Sequence, residues 1–167
     1  SYPYIKELYD AGVVSGTSAT TFSPAANVTR AQFVTMLAGL AGADVSNCPA
    51  TPFRDVPEGA WYAPYVNWAL ANGIVSGTSA VTFSPDASIT RQDMAVMLYS
   101  YTQRFQVHLQ QQQPVKPFTD AGSIAAYAQI AVQTLQRAGV ISGMPDGSFQ
   151  PYGTATREQA CTMLCML

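Results

Sequence analysis

The chain has 167 residues, a formal charge of -2 and only eight basic residues, so it carries no basic patch of the kind that neutralises nucleic-acid phosphates. Charged residues are 11% of the chain, against roughly 25% in typical globular proteins, so Ser, Thr, Asn, Gln, Gly and Tyr must cover much of the surface. No apolar run reaches the ~18 residues that suggest a membrane span, and the opening residues do not read as a signal peptide, which is the pattern expected of a mature or trimmed fragment.

In chain order, the first predicted helix contains Pro3-Tyr4 and stops at Gly12. An apolar pair, Val13-Val14, leads to Gly16, and a loop carries Phe22-Ser23-Pro24. A second helix then opens at Thr29-Arg30, with Thr29 as N-cap and Gln32 three residues on, which is a capping box. Phe33, Leu37 and Leu40 recur at helical spacing on it. A linker of about residues 39–52 follows.

The same series then repeats behind a new element, Phe53-Arg54-Asp55-Val56. Residues 61–72 read as a helix, with Tyr62, Val66, Ala69 and Leu70 on one face and Pro64 in the first turn, where its missing N–H breaks no helical bond. Gly73 suits the left-handed residue that ends a helix. Ile74-Val75, Gly77, Phe83-Ser84-Pro85 and Thr90-Arg91 follow, and Asp93 stands where the first copy has Gln32. Met94, Met97, Leu98 and Tyr101 form the next stripe. The run Gln110-Gln111-Gln112-Gln113 is solvated and is a candidate extension of that helix.

The third copy starts at Phe118-Thr119-Asp120-Ala121. Its first helix is predicted from about residue 123, through Tyr127, Ile130, Ala131 and Leu135, to Gly139. Gly143, the turn dipeptide Asp146-Gly147, Phe149-Gln150-Pro151 and Thr156-Arg157 with Gln159 complete it, and Met163, Leu164 and Leu167 form its stripe. Val28 with Phe33, Ile89 with Met94, and Ala155 with Ala160 occupy hydrophobic-staple positions around the three caps. From the opening glycine to the arginine is 18 residues in each copy, and the copies are offset by 61 and then 66 residues. The divisions fall at 1–47, 48–113 and 114–167. A single copy of this size is marginal alone, so three copies are expected to share one core. Each copy has too few β-branched and aromatic residues for a sheet, though short bridges fit.

The three arginines follow their caps directly. A helix amino terminus is partially positive, so arginine there is unfavourable by roughly 0.3–1 kcal/mol. Two readings account for it. The guanidinium can fold back to Asp55, Asp120 or loop carbonyls and pin the loop, or it can join free helix N–H groups as a receptor for a carboxylate or phosphate. Gly16, Gly77 and Gly143 likewise fit either a backbone angle that only glycine tolerates or close approach of a sugar to bare backbone. Trp61, at a loop-to-helix junction, is the best candidate for stacking on a sugar ring, and Trp68 reads as core.

Catalysis finds no footing in these residues. There is no Ser-His-Asp, Cys-His or metal set; His108 lies in the glutamine-rich linker, Cys161 and Cys165 read as buried apolar groups, and Cys48 lies in a loop. No cofactor or metal is expected.

Phe53-Arg54-Asp55-Val56, Trp61-Tyr62, Ala71-Asn72-Gly73-Ile74-Val75-Ser76-Gly77, Phe83-Ser84-Pro85 and Ile89-Thr90-Arg91 together resemble the S-layer homology domain, present here as three tandem copies. The resemblance implies an all-α fold of three helix-loop-helix repeats packed as a pseudo-threefold, three-pronged unit with grooves between the prongs. It implies non-covalent attachment of a larger exported protein of a Gram-positive bacterium to cell-wall polysaccharide bearing ketal-linked pyruvate. The location implied is the cell surface or S-layer, without membrane insertion. Arg30, Arg91 and Arg157 are the residues it sets against the acidic glycan. The chain departs from the family's Thr-Arg-Ala-Glu wording at Gln32, Asp93 and Gln159, at Gln92 and Glu158, and in lacking the Phe-x-Asp element before copy one, so the three grooves are expected to be unequal. The competing reading is a structural or protein–protein module in which the arginines only staple the repeats together.

Overall fold

The computed structural model describes residues 26–110, 114 and 116–167. The first helix of copy one, Gly16, Phe22-Ser23-Pro24 and Gln111 to Gln113 lie outside the described residues.

Five α-helices are described: α1 (Arg30–Ala41), α2 (Ala63–Ala71), α3 (Arg91–Arg104), α4 (Gln129–Arg137) and α5 (Arg157–Cys165). Two 3-10 turns, Ala121–Ser123 and Ala126–Ala128, precede α4. The fold is all-α, and no described helix is long and apolar enough to cross a membrane. Thr29 and Thr156 form the expected capping boxes, each taking the N3 amide while the N3 glutamine returns to the cap amide. Thr90 accepts from the Asp93 amide, but no return bond forms, because aspartate is one methylene shorter than glutamine. Gly42 ends α1 at φ 61, and Gly73 (φ 70) and Gly139 (φ 78) follow α2 and α4 as the C-terminal pattern requires.

Helix pairing crosses the sequence repeat. α1 packs on α2, and α3 packs on α4 and the turn before it. The helix opened by one copy's Thr-Arg therefore lies against the first helix of the next copy. The three copies contribute to one core: Phe33, Leu37, Phe83, Met94, Leu98, Leu135, Phe149 and Leu164 are fully buried in a single cluster. All six staple residues are also fully buried.

No strand occurs among the described residues; the β contacts are three isolated bridges, Asn27 with Thr156, Thr29 with Ser88, and Thr90 with Thr154. They join the segments just before the caps rather than the apolar pairs after the glycines. Their hydrogen bonds close a cycle. Val28 N–H donates to Ala155 C=O (3.0 Å), Ala155 N–H to Ile89 C=O (3.1 Å), and Ile89 N–H to Val28 C=O (2.8 Å).

Two expectations change. Tyr127 and Ile130 are exposed rather than core, and the buried face of this region is Ala128, Ala131, Val132 and Leu135. The 3-10 turn at Ala126–Ala128 has fewer residues per turn than an α-helix and shifts the phase. α3 ends at Arg104 with Phe105 as its C-cap and Gln106 in the left-handed region at φ 54, so Gln110, the one described residue of the glutamine run, lies outside that helix. Cys161 is buried, Cys48 and Cys165 are half-buried, and none of the three is in a disulfide.

Candidate binding grooves

The site is assembled from the Phe-x-Pro loops outward. In copy two, both oxygens of Asp55 accept backbone N–H groups, from Phe83 at 2.9 Å and Ser84 at 2.8 Å. In copy three, Asp120 takes Phe149 N–H at 2.8 Å and Gln150 N–H at 2.9 Å. Ser84 (φ 59) and Gln150 (φ 57) are left-handed non-glycine residues, so the carboxylates hold a backbone shape that is otherwise unfavourable. Burial tends to raise the Asp120 pKa, yet the two amide donors outweigh it and hold the group below the usual aspartate value.

The carbonyl sides of the same phenylalanines meet the arginines of the preceding copies. Arg30 Nε donates to Phe83 C=O and Arg91 Nε to Phe149 C=O, both at 2.8 Å. Each guanidinium also lies over the ring of that phenylalanine, at 4.9 and 5.1 Å from the centroid. Arg30, Arg91 and Arg157 are all buried. Burial lowers the pKa of each, and the Asp93 carboxylate opposes this at Arg30.

Two details of the sequence reading need correction. Asp55 and Asp120 bond loop amides rather than the guanidinium, and they line neither described groove. The helix N–H groups are also not free for a ligand. In α1 the first two donate to Ala87 C=O and Pro85 C=O and the third to Thr29 Oγ1. In α3 they donate to Gly153 C=O, Pro151 C=O and Thr90 Oγ1. Carbonyls of the following copy thus occupy the positive helix end, and the N1 arginine extends away to that copy's loop.

Two grooves of similar size result. The first, about 380 Å³, lies between Arg30 of copy one, residues 73–78 and the Asp93–Met97 face of α3 from copy two, and Tyr127 of copy three. The second, about 370 Å³, lies between Arg91 of copy two and, from copy three, residues 142–144 with the Glu158–Met163 face of α5. Gly77 lines the first and Gly143 the second. Both have positive φ (89 and 77), and a Cβ would stand 2.6 Å from the Phe53 ring at Gly77 and 2.5 Å from the Phe118 ring at Gly143. The backbone-angle reading of these glycines therefore holds, and the same bare backbone faces a groove.

Arg157 N–H donates to Ala26 C=O, linking copy three to copy one. Its equivalent loop, with Gly16, lies outside the described residues. Trp61 is exposed, edge-on to Tyr62 at 5.5 Å, and lines neither described groove.

Asp93 and Tyr127 were not singled out as site residues from sequence. Asp93 Oδ2 accepts from Arg30 Nη1 at 3.0 Å, and Asp93 Oδ1 accepts from the Tyr127 hydroxyl at 2.5 Å. Burial of the hydroxyl, reinforced by this carboxylate, pushes the Tyr127 pKa up to about 12. Gln92 Nε2 donates to the same hydroxyl at 3.3 Å. The available clues were the shortened cap partner at Asp93 and the alignment of Tyr127 with Trp61 at the 66-residue offset.

Known proteins contain similar segments. An endoglucanase of Bacillus sp. (strain KSM-635) is 38% identical over 167 residues, 100% of this chain and 17% of that protein. A cellulosome-anchoring protein of Acetivibrio thermocellus is 29% identical over 147 residues, 86% of this chain and 32% of that protein. An S-layer protein of Bacillus thuringiensis subsp. finitimus is 26% identical over 161 residues, 96% of this chain and 19% of that protein. The chain spans less than a third of the length of each. The family model of the S-layer homology domain matches residues 1–34, 52–95 and 117–161, each match ending inside the helix that a Thr-Arg pair opens. The chain therefore belongs to the S-layer homology family, a family of the cell surface that anchors proteins to the bacterial wall.

Proposed function

We propose that this segment holds a larger exported protein on a Gram-positive cell wall by binding an acidic, pyruvate-bearing secondary cell-wall polysaccharide in grooves between its copies. The observation that carries the reading is the repeated juxtaposition, in both described grooves, of a buried arginine and a positive-φ glycine loop. In this reading the three copies form a pseudo-threefold, three-pronged unit, which the closed cycle of backbone bonds supports.

The mechanism is electrostatic and multivalent. Nε of Arg30 and of Arg91 is spent on a loop carbonyl, which fixes each guanidinium in place and leaves Nη donors to face the glycan. Gly77 and Gly143 let a sugar approach the backbone closely, and Gly16, their counterpart in the sequence of copy one, is assigned the same role. Asp55 and Asp120 support the loops. Trp61 occupies the repeat position of Tyr127, and we assign both to the aromatic edge of a groove. Several weak sites on one polymer give avidity beyond any single site.

The competing reading, a module whose arginines only staple the repeats, draws on the same Nε bonds. Binding to purified walls separates the two, using walls with and without chemical removal of pyruvate ketals and Arg30, Arg91 and Arg157 changed singly to Ala. The glycan reading expects retention to fall in each case and to weaken further with salt. Equal retention throughout sinks it. Variants that melt earlier yet bind unchanged would assign the arginines to structure alone.

A further inference from the structure

The Arg30 groove contains a carboxylate of its own. One oxygen of Asp93 is held by the guanidinium from copy one and the other by the phenol from copy three. In the Arg91 groove the corresponding residue is Gln159, whose side chain returns to its own cap amide. Among the described residues, no carboxylate forms an ion pair with Arg91. Glu158, at the repeat position of the buried Gln92, lines that groove too, but it is not paired with Arg91. The two grooves thus share a framework and differ in whether the arginine already has an anion.

We propose that Asp93 stands where a ligand carboxylate would otherwise meet Arg30, and so sets the two grooves to different chemistry. The Arg30 groove takes an uncharged, hydroxyl-rich sugar face, and the Arg91 groove takes the acidic substituent. This rests on the glycan reading above. A second carboxylate entering beside Asp93 would meet a like charge a few ångströms away in a partly dry groove, where repulsion is stronger than in water. Sugar hydroxyls meet no such barrier, since Asp93 accepts from them and Ser76, Thr78 and Ser100 offer hydroxyl partners along the same wall. The exposed Tyr127 ring adds an apolar edge for a sugar face.

The test uses the 167-residue chain labelled with nitrogen-15. The Gly77 and Gly143 amide signals serve as one reporter per groove. The probes are the methyl glycoside of an N-acetylhexosamine carrying a 4,6-linked pyruvate ketal, and the same glycoside without the ketal. In the wild type the acidic probe is expected to move Gly143 and leave Gly77 still. Asp93→Asn keeps the Thr90 cap and removes the charge. It should bring Gly77 into the response, with affinity for the acidic probe at that groove rising on the order of tenfold or more. Tyr127→Phe, which frees one oxygen of the clamp, should give a smaller change at Gly77. The proposal is overturned if Gly77 and Gly143 respond equally in the wild type. It is also overturned if Asp93→Asn leaves Gly77 silent while Gly143 still responds, an outcome that spares the glycan reading. Silence of both glycines in both proteins overturns the two together.

Discussion

In the Arg91 groove, the third residue of the adjoining helix closes a capping box within its own helix. In the Arg30 groove, the residue at that place reaches across to another copy and forms an ion pair. The Nε bonds and the cation–ring distances are otherwise alike, to within a few tenths of an ångström. The contrast teaches that replacing glutamine with the shorter, charged aspartate as cap partner redirects a side chain from local helix support to control of a neighbouring cavity. It also shows how repeats that share one arginine-to-loop framework acquire unequal sites through their side chains.

The comparison can be broken most severely at the arginines. Arg30→Ala removes the donor to Phe83 and strands Asp93, so it should cost about 3–4 kcal/mol, low in the range for breaking a buried pair because Asp93 is partly exposed. Arg91→Ala strands no carboxylate and should cost about 2 kcal/mol. Urea unfolding of the two variants measures the gap; equal losses would show that the Asp93 pair contributes nothing.

The glycines sharpen it next. A Cβ at Gly77 would meet two backbone oxygens, Thr82 O at 2.6 Å and Ser79 O at 2.7 Å, whereas at Gly143 the nearest backbone atom is 3.0 Å away. A phenylalanine ring can tilt, but loop backbone yields less readily. Gly77→Ala should therefore cost about 2–3 kcal/mol and Gly143→Ala about 1–2 kcal/mol. Thermal melts giving the reverse order would contradict that account of the loops.

Removing the return bond of a cap should cost less. Gln159→Ala is expected to lose about 0.5–1 kcal/mol, while Gln159→Asp should reproduce the open cap of α3 with a similar loss. Denaturation midpoints unchanged in both would show that the box adds nothing to Thr156 alone.

The smallest effect is a pH dependence. Asp120 is held below its unfolded value, so its stabilisation is fully present above about pH 4 and is lost as pH falls through the lower folded value. Stability of the wild type should fall more steeply with acid than that of Asp120→Asn. Superimposable pH profiles for the two would remove Asp120 from the loop's support.

Much of this fold was legible because its signals are local. Thr29, Thr90 and Thr156 marked three helix starts, Gly73 and Gly139 marked two ends, and the apolar spacing in α1, α3 and α5 marked their buried faces. Tertiary choices were not legible in the same way. Nothing in residues 30–41 says that the helix packs on the next copy rather than on its own. The carbonyls that satisfy the amides of Arg30 and Ala31 come from residues more than 50 positions away. Glutamine is a good helix former, yet α3 ends at Arg104, where Phe105 and the left-handed Gln106 turn the chain before Gln110 is reached. Of the candidate site, the arginines and glycines were visible through repetition. Asp93 and Tyr127 were not, because their roles exist only where three copies meet.

The backbone cycle of Val28, Ile89 and Ala155 has an arithmetic consequence. Each copy gives its neighbour the same head-to-tail contact, and such contacts either run on as an open array or close on themselves. Here the third carbonyl meets the first amide, so the count ends at three. An array stacked end to end can lose a terminal unit and keep the rest intact. Losing any one copy here leaves a donor and an acceptor facing water and opens the common interior. Gain or loss of single units should therefore be tolerated poorly, and duplication of the whole triplet should be the natural route to a longer anchor.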